Sequence, residues 1–242
     1  MIITDAFWEK RNLGIGCLEI ELSETDSIKD VNEAIKLYND IHYVVIKTPV
    51  NCKQLLWELP KNGYNFVESQ LALQVSKESY RCPSYLKIAE RNTSIKRLSN
   101  EHEIKMALEY VSNDVFDSDR ISLDIHFSKE TAGLRYKNWV IDLIKKGQDF
   151  LELNVKDKPI GFFIAQNSKG RKGFAGLAGI YTKYKGKGFG TVLIKKGMDY
   201  IFEAGNDEIF TSVSSNNKEI IKIHLMLGFE ISNISYVYIK HI

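Results

Sequence analysis

The stretch Ile180-Tyr181-Thr182-Lys183-Tyr184-Lys185-Gly186-Lys187-Gly188-Phe189-Gly190-Thr191 constrains the fold of this chain more than any other. An apolar strand runs straight into a turn with glycine at three alternate positions. The turn then opens a helix with Phe189, Val192, Leu193, Tyr200 and Ile201 on one face. Glycines at 186, 188 and 190 let the backbone curl so that several N–H groups point inward, and the helix N-terminus adds partial positive charge. Lys185 and Lys187 add more, so a pyrophosphate suits the turn. It is not a Walker loop, because Gly190 is followed by Thr191. It is not a dinucleotide fingerprint either, because the glycine spacing is wrong.

Strand and helix patterns alternate on both sides of that turn. Upstream, strands are expected at Leu18–Leu22, His42–Ile46 and Phe66–Val75, with helices at Ile28–Leu37 and Cys52–Leu59, the latter stopped by Pro60 and Gly63. Residues 76–83 are polar, hold a proline and read as a linker. A second unit follows. It comprises a strand at Ser94–Leu98, a helix at Glu101–Val111, an aperiodic stretch over 113–128, and a helix at Glu130–Lys146 with Leu134, Ile141 and Ile144 among its apolar positions. Strands are then expected at Phe150–Val155, Gly161–Gln166 and Gly173–Thr182, with the glycine turn and its helix after them. Last come a strand at Ile209–Val213, a helix at Lys218–Leu227 between Asn217 and Gly228, and a strand at Tyr236–Ile239. This order predicts an α/β protein with a mixed sheet, divided into residues 1–83 and 92–242. Leu59 to Phe66 and Leu225 to Ile231 share one ending, a helix stopping near glycine, an aromatic, then a strand. That hints at two related half-folds.

Bulk properties exclude several classes. Of 242 residues, 33 are Lys or Arg and 31 Asp or Glu, a net charge of +2 that gives no general nucleic-acid binder. Cys17, Cys52 and Cys82 have no metal spacing, so no metal is expected and the thiols read as free and cytoplasmic. No apolar run is long enough to cross a bilayer, and no signal peptide is indicated.

Two motifs together resemble the GCN5-related N-acetyltransferases (GNAT). Lys185-x-x-Gly188-x-Gly190 is similar to that family's [QR]-x-x-G-x-[GA] turn, with lysine in the first slot. Asn217, Ile220, Gly228 and Phe229 are similar to its later N-x-x-A-x(7)-G-F pattern, with isoleucine in place of alanine. The resemblance covers about residues 94 to 242. It implies a mixed-sheet acyl-CoA N-acyltransferase fold preceded by a smaller α/β domain, with acetyl-CoA as co-substrate. It also implies that Lys185, Gly186, Lys187, Gly188, Phe189, Gly190 and Thr191 hold the pyrophosphate, with Asn217 nearby, and that the backbone of Ile180 and Thr182 pairs with the pantetheine arm.

Amide formation requires an ammonium to lose a proton and the departing thiolate to gain one. His224 stands where the family often has an acidic tyrosine, seven residues after Asn217, and is the expected acid. Asp124 or His126 is the expected base, although either residue also suits a solvated loop. The region holding Arg120, Asp124, Phe127, Arg135, Tyr136 and Trp139, together with the N-terminal unit, resembles the dTDP-fucosamine acetyltransferase subgroup. That implies a nucleotide-linked deoxyaminosugar as the acceptor, with Arg120, His126, Tyr136 and Trp139 in contact with it. Acetylation of a protein, peptide or other small amine stays open, as does a non-catalytic coenzyme A sensor and a homodimer. An acidic groove would favour cationic amines and a basic one a nucleotide sugar.

Overall fold

The alternating segments fold as one mixed sheet. A computed structural model describes residues 1–111, 115–167 and 170–242; the first positions of the aperiodic stretch, 113 and 114, lie outside them. Among the described residues the strands are β1 (Ile2–Asp5), β2 (Gly16–Glu21), β3 (Ile41–Pro49), β4 (Asn65–Ser76), β5 (Ser94–Leu98), β6 (Asp149–Val155), β7 (Lys158–Asn167), β8 (Lys172–Ile180), β9 (Glu208–Ser214) and β10 (Glu230–His241). Their order is β1-β2-β3-β10-β4-β9-β8-β7-β6-β5. The pairs β2/β3 and β8/β9 are parallel, and the other neighbours are antiparallel.

Helices cover both faces. On one lie α2 (Ile28–Lys36), α3 (Lys53–Lys61), α8 (Phe189–Glu203) and α9 (Lys218–Met226). On the other lie α1 (Phe7–Leu13), α5 (Glu101–Glu109), α6 (Arg120–Leu123) and α7 (Lys129–Lys145). The short α4 (Leu86–Arg91) packs on α8. Each core follows from strand alternation. Leu71, Leu73 and Val75 of β4 meet Leu193, Met198, Ile209 and Phe229 on the first face, while Phe162, Ile164 and Leu177 meet Tyr136 and Val140 on the second.

The sequence reading missed β1 and α1, and β10 is far longer than Tyr236–Ile239. Pro60 sits inside the last turn of α3. Leu134 is exposed rather than core, because α7 buries Ala132, Gly133, Arg135, Tyr136 and Val140 instead.

The two similar endings have a topological counterpart. The series β2-α2-β3-α3-β4 repeats as β8-α8-β9-α9-β10, and each series opens with a parallel pair. The last strands are exchanged: β4 lies beside β9, β10 lies beside β3, and the two pair with each other. Residues 76–83 are not a slack linker. Arg81 N–H donates to Leu227 O at 3.0 Å, and the Tyr80 ring lies 5.0 Å from Phe202 with its hydroxyl donating to Asp199 at 3.0 Å. Gly228 makes that docking close, with φ +94° and a position where a Cβ would lie 2.3 Å from Ser79 O. Gly228→Ala should therefore cost about 1–3 kcal/mol from backbone conformation alone, with the clash added, read as a lower melting temperature. An unchanged melting temperature would show that this contact is not tight.

Candidate active site

An opening through the sheet sits where β8 and β9 part. Their ladder holds only from Lys172–Glu208 to Phe174–Phe210 and then ends. The cause is visible in β8. Phe163 opposes Ala178 and Ala165 opposes Ala175, so Gly176 and Leu177 share one opposing residue. Such a bulge bends a strand and increases its local twist. Thr211 Oγ1 closes the point of separation by donating to Ala175 O at 2.9 Å.

The resulting cavity, about 190 Å³, joins both faces of the sheet. Ile194 of α8, and Ile220 and His224 of α9, line it from one side. Phe116, Tyr136 and Trp139 line it from the other, with Ala175–Ala178 and Thr211–Ser214 as its walls. The aromatic side is ordered: the Phe116 and Tyr136 rings stack at 3.9 Å, and Trp139 follows Tyr136 at 5.9 Å.

At one mouth lies the glycine turn. β8 ends at Ile180, and Thr182 starts a 3-10 turn to Tyr184, so Thr182 is not a strand residue as the sequence suggested. Gly186 and Gly188 have φ of +73° and +81°, and nothing lies within 4 Å of the Cβ that either would carry. Helix α8 starts at Gly188 with no side-chain cap and no acidic residue in its first turn, so side chains leave its first amides for a ligand. Lys185 and Lys187 are exposed there, with Lys187 Nζ 5.3 Å from the Tyr184 ring.

The first half of the fold is an internal control. Its parallel pair β2/β3 stays in register from Cys17–Tyr43 to Glu21–Lys47, with no opening. Its helix α2 is closed by a capping box between Ser27 and Asp30. Among the described residues, only the second half combines parted strands with an uncapped helix.

The expected site residues divide. His224, Asn217, Arg120, Tyr136 and Trp139 line the cavity. Asn217 caps α9, accepting from Ile220 N–H at 3.2 Å. Asp124 and His126 do not line it: Asp124 accepts from His126 Nδ1 at 2.9 Å and pairs with His241 Nε2 at 2.7 Å, tying the loop to the end of β10. That arrangement commits the Asp124 carboxylate elsewhere and opposes its expected role as base. Arg120 is committed as well. It contacts Glu19 and bonds Glu9 at 3.2 Å, and Arg135 bonds Glu9 at 2.8 Å and Asp119 at 3.2 Å. Burial opposes the charge on Arg120, but Glu19 and Glu9 outweigh it and push its pKa up.

His224 is buried, with Nδ1 2.8 Å from Ile220 O and Nε2 without a partner. Burial holds its pKa down at about 4. At neutral pH the ring is therefore neutral, Nδ1 donates to Ile220 and Nε2 offers a lone pair. This state opposes the expected role of His224 as proton donor. The folded pKa lies below the ordinary 6.5, so the unfolded chain binds the proton first. Stability is full above pH 6.5 and falls as pH drops toward 4, by up to about 3 kcal/mol. Chemical denaturation across that window should show the slope in wild type and less of it in His224→Gln. An equal slope in both would assign it to other groups.

Glu68 is the acid the sequence reading overlooked. It lines the cavity from β4, is buried, and has Oε2 without a partner. Alternation from Leu71, Leu73 and Val75 puts it on the opposite face of β4, in phase with Gln70. Tyr238 opposes Phe66 while Val237 opposes Glu68, so Val67 is an extra residue and the alternation flips only beyond it, at Phe66. The available signal was a carboxylate two residues from Gln70, on the side of the strand opposite Leu71, Leu73 and Val75.

Parted parallel strands thus stand beside an uncapped, glycine-opened helix. Residues 113–229 match the acetyltransferase (GNAT) family. N-alpha-acetyltransferase 30 of Xenopus laevis is 34% identical over 59 residues, which are 24% of this chain and 22% of that protein. A GCN5-related N-acetyltransferase from Sphaerobacter thermophilus superposes with TM-score 0.58 at 13% identity, covering 88% of this chain and 64% of that one. A tandem GNAT protein from the clavulanic acid biosynthesis pathway gives 0.55 at 10% identity, covering 88% and 67%. The chain thus spans about a fifth of the curated relative and under two thirds of the first structure. At these identities the structures establish the fold.

Proposed function

We propose that the protein transfers an acetyl group from acetyl-CoA to a primary amine. The observation that carries this reading is the parting of β8 from β9 beside an uncapped α8, in a chain that has a closed copy of the same arrangement. The residues fit the co-substrate. The open space over Gly186 and Gly188 and the amides of Lys187, Gly188, Gly190 and Thr191 suit a pyrophosphate, and Ala175–Ala178 offer backbone along the opening. Bound acetyl-CoA supplies an acyl carbon activated as a thioester. Among the chain's own groups, Ile194, Ile220 and Leu177 exclude water from the opening, and His224 Nε2 presents a fixed acceptor.

The acceptor is best read as a compact cationic amine. Glu9, Glu19 and Asp119 already neutralise Arg120 and Arg135, so neither guanidinium is left to clamp a diphosphate. This weakens the nucleotide-aminosugar reading, while the aromatic wall suits any amine with an apolar or ring-bearing body. A thiol-release assay with spermidine, glucosamine, a short peptide and a nucleotide-linked aminosugar tests it. Release with the cationic amines is expected. Release with the nucleotide sugar alone would restore the deoxyaminosugar, and binding without any release would leave a coenzyme A sensor.

Gly188→Val should weaken acetyl-CoA at least tenfold, about 1.4 kcal/mol. The valine would be strained at φ +81° and would occupy the space left for phosphate. Calorimetry giving wild-type affinity would move the pyrophosphate elsewhere.

A further inference from the structure

We propose that Glu68, supplied by the first half of the fold to the opening in the second, is the base that deprotonates the acceptor amine. The proposal rests on the acetyl-transfer reading and adds a residue to it. In the step, a Glu68 oxygen takes one proton from the ammonium. The nitrogen then forms a bond to the acetyl carbon as the carbon–sulfur bond breaks. The second proton leaving nitrogen is taken up with the departing thiolate as free thiol, and Glu68 returns its own to water when the amide leaves.

Three observations support it. Glu68 lies in the cavity, on the aromatic side where an amine would enter, and its Oε2 has no partner. The other acids nearby are occupied. Asp119 accepts from Ser122 N–H at 3.0 Å, Ser122 Oγ at 2.7 Å and Arg135 at 3.2 Å, and Asp124 is outside the cavity. Burial pushes the Glu68 carboxyl up, against the Ser214 hydroxyl and the Arg120 and Arg135 charges that lower it, which makes it a stronger base. The groups sharing the cavity with it are Asp119 and Arg120 from the α6 region, Arg135 and Tyr136 from α7, Ser214 from β9, and Asn217 and His224 from α9. Of these, His224 is held neutral with a pKa of about 4.

The test is steady-state thiol release by wild type, Glu68→Gln and Glu68→Asp across pH, with calorimetry of acetyl-CoA on the same preparations. Glu68→Gln should lose on the order of 10²–10⁴-fold in kcat at pH 7 with acetyl-CoA affinity unchanged. The deficit should shrink as pH rises and free amine appears in solution. Glu68→Asp, which keeps a carboxylate, should retain intermediate activity, and the acid limb of the wild-type profile should vanish in Glu68→Gln. A Glu68→Gln variant within threefold of wild type, or a deficit equal at every pH, overturns Glu68 as the base. If Glu68→Gln fails to fold, Glu68→Asp decides: an acid limb unmoved from wild type overturns the proposal and a displaced one supports it. Wild-type protein that binds acetyl-CoA but releases no thiol with any amine overturns the transfer reading itself, and the proposal with it.

Discussion

Residues 92–242 expressed alone will not give a cooperatively folding protein. The segment contains the whole motif-bearing unit, yet β9 and β10 do not pair with each other. They meet only through β4, which comes from the first half. Without β4 the sheet divides, and two backbone edges lose their hydrogen-bond partners at once. Leu71, Leu73 and Val75 also leave the core they share with Leu193, Ile209, Leu227 and Phe229. At roughly 1.5–3 kcal/mol per buried side chain, those three alone rival a typical domain stability of about 5–15 kcal/mol. Thermal unfolding followed by circular dichroism should show no sigmoidal transition, and co-expression with residues 1–91 should restore one. A sharp transition in the isolated segment would mean that β10 can close on β9 unaided.

The second large effect is expected at Glu9→Ala. Glu9 is fully buried at 0% exposure and bonds both Arg135 and Arg120, whose side chains are only 9% and 12% exposed. Removing it leaves two guanidiniums short of a counter-charge in a dry environment, a situation that costs about 3–5 kcal/mol. For a chain of this size that is roughly 6–20 °C in melting temperature. The control is Asp40→Ala. Its pair with Lys10 is as short, 2.6 Å, but both side chains are more than half exposed, so little change is expected. Equal shifts for the two variants would contradict the idea that burial sets the difference. Because Arg120, Arg135 and Asp119 also line the opening, Glu9→Ala should disturb amine binding before acetyl-CoA binding.

The sequence by itself determined what depends on near neighbours. The glycine turn and α8 were legible because left-handed φ and an uncapped helix start are local properties, written within residues 180–191. Asn217 and Gly228 marked the ends of α9 for the same reason, as cap and left-handed stop. Strand alternation placed most of the sheet. Tertiary structure alone decided the rest. The bulge that parts β8 from β9 is defined by register against β7, which no single strand records. The exchange of β4 and β10 depends on pairing across more than 150 residues of chain. Arg120 looked like a phosphate ligand until Glu9 and Glu19, over a hundred positions away, were seen to hold it. Asp124 looked free until His241 reached it from the last strand. Glu68 follows its strand's period-two pattern onto the face opposite Leu71, Leu73 and Val75, but only the parting of β8 from β9 puts an opening beside it. Local conformation is set by the residue and its neighbours in sequence, whereas a reactive group's surroundings are set by whatever the fold brings beside it.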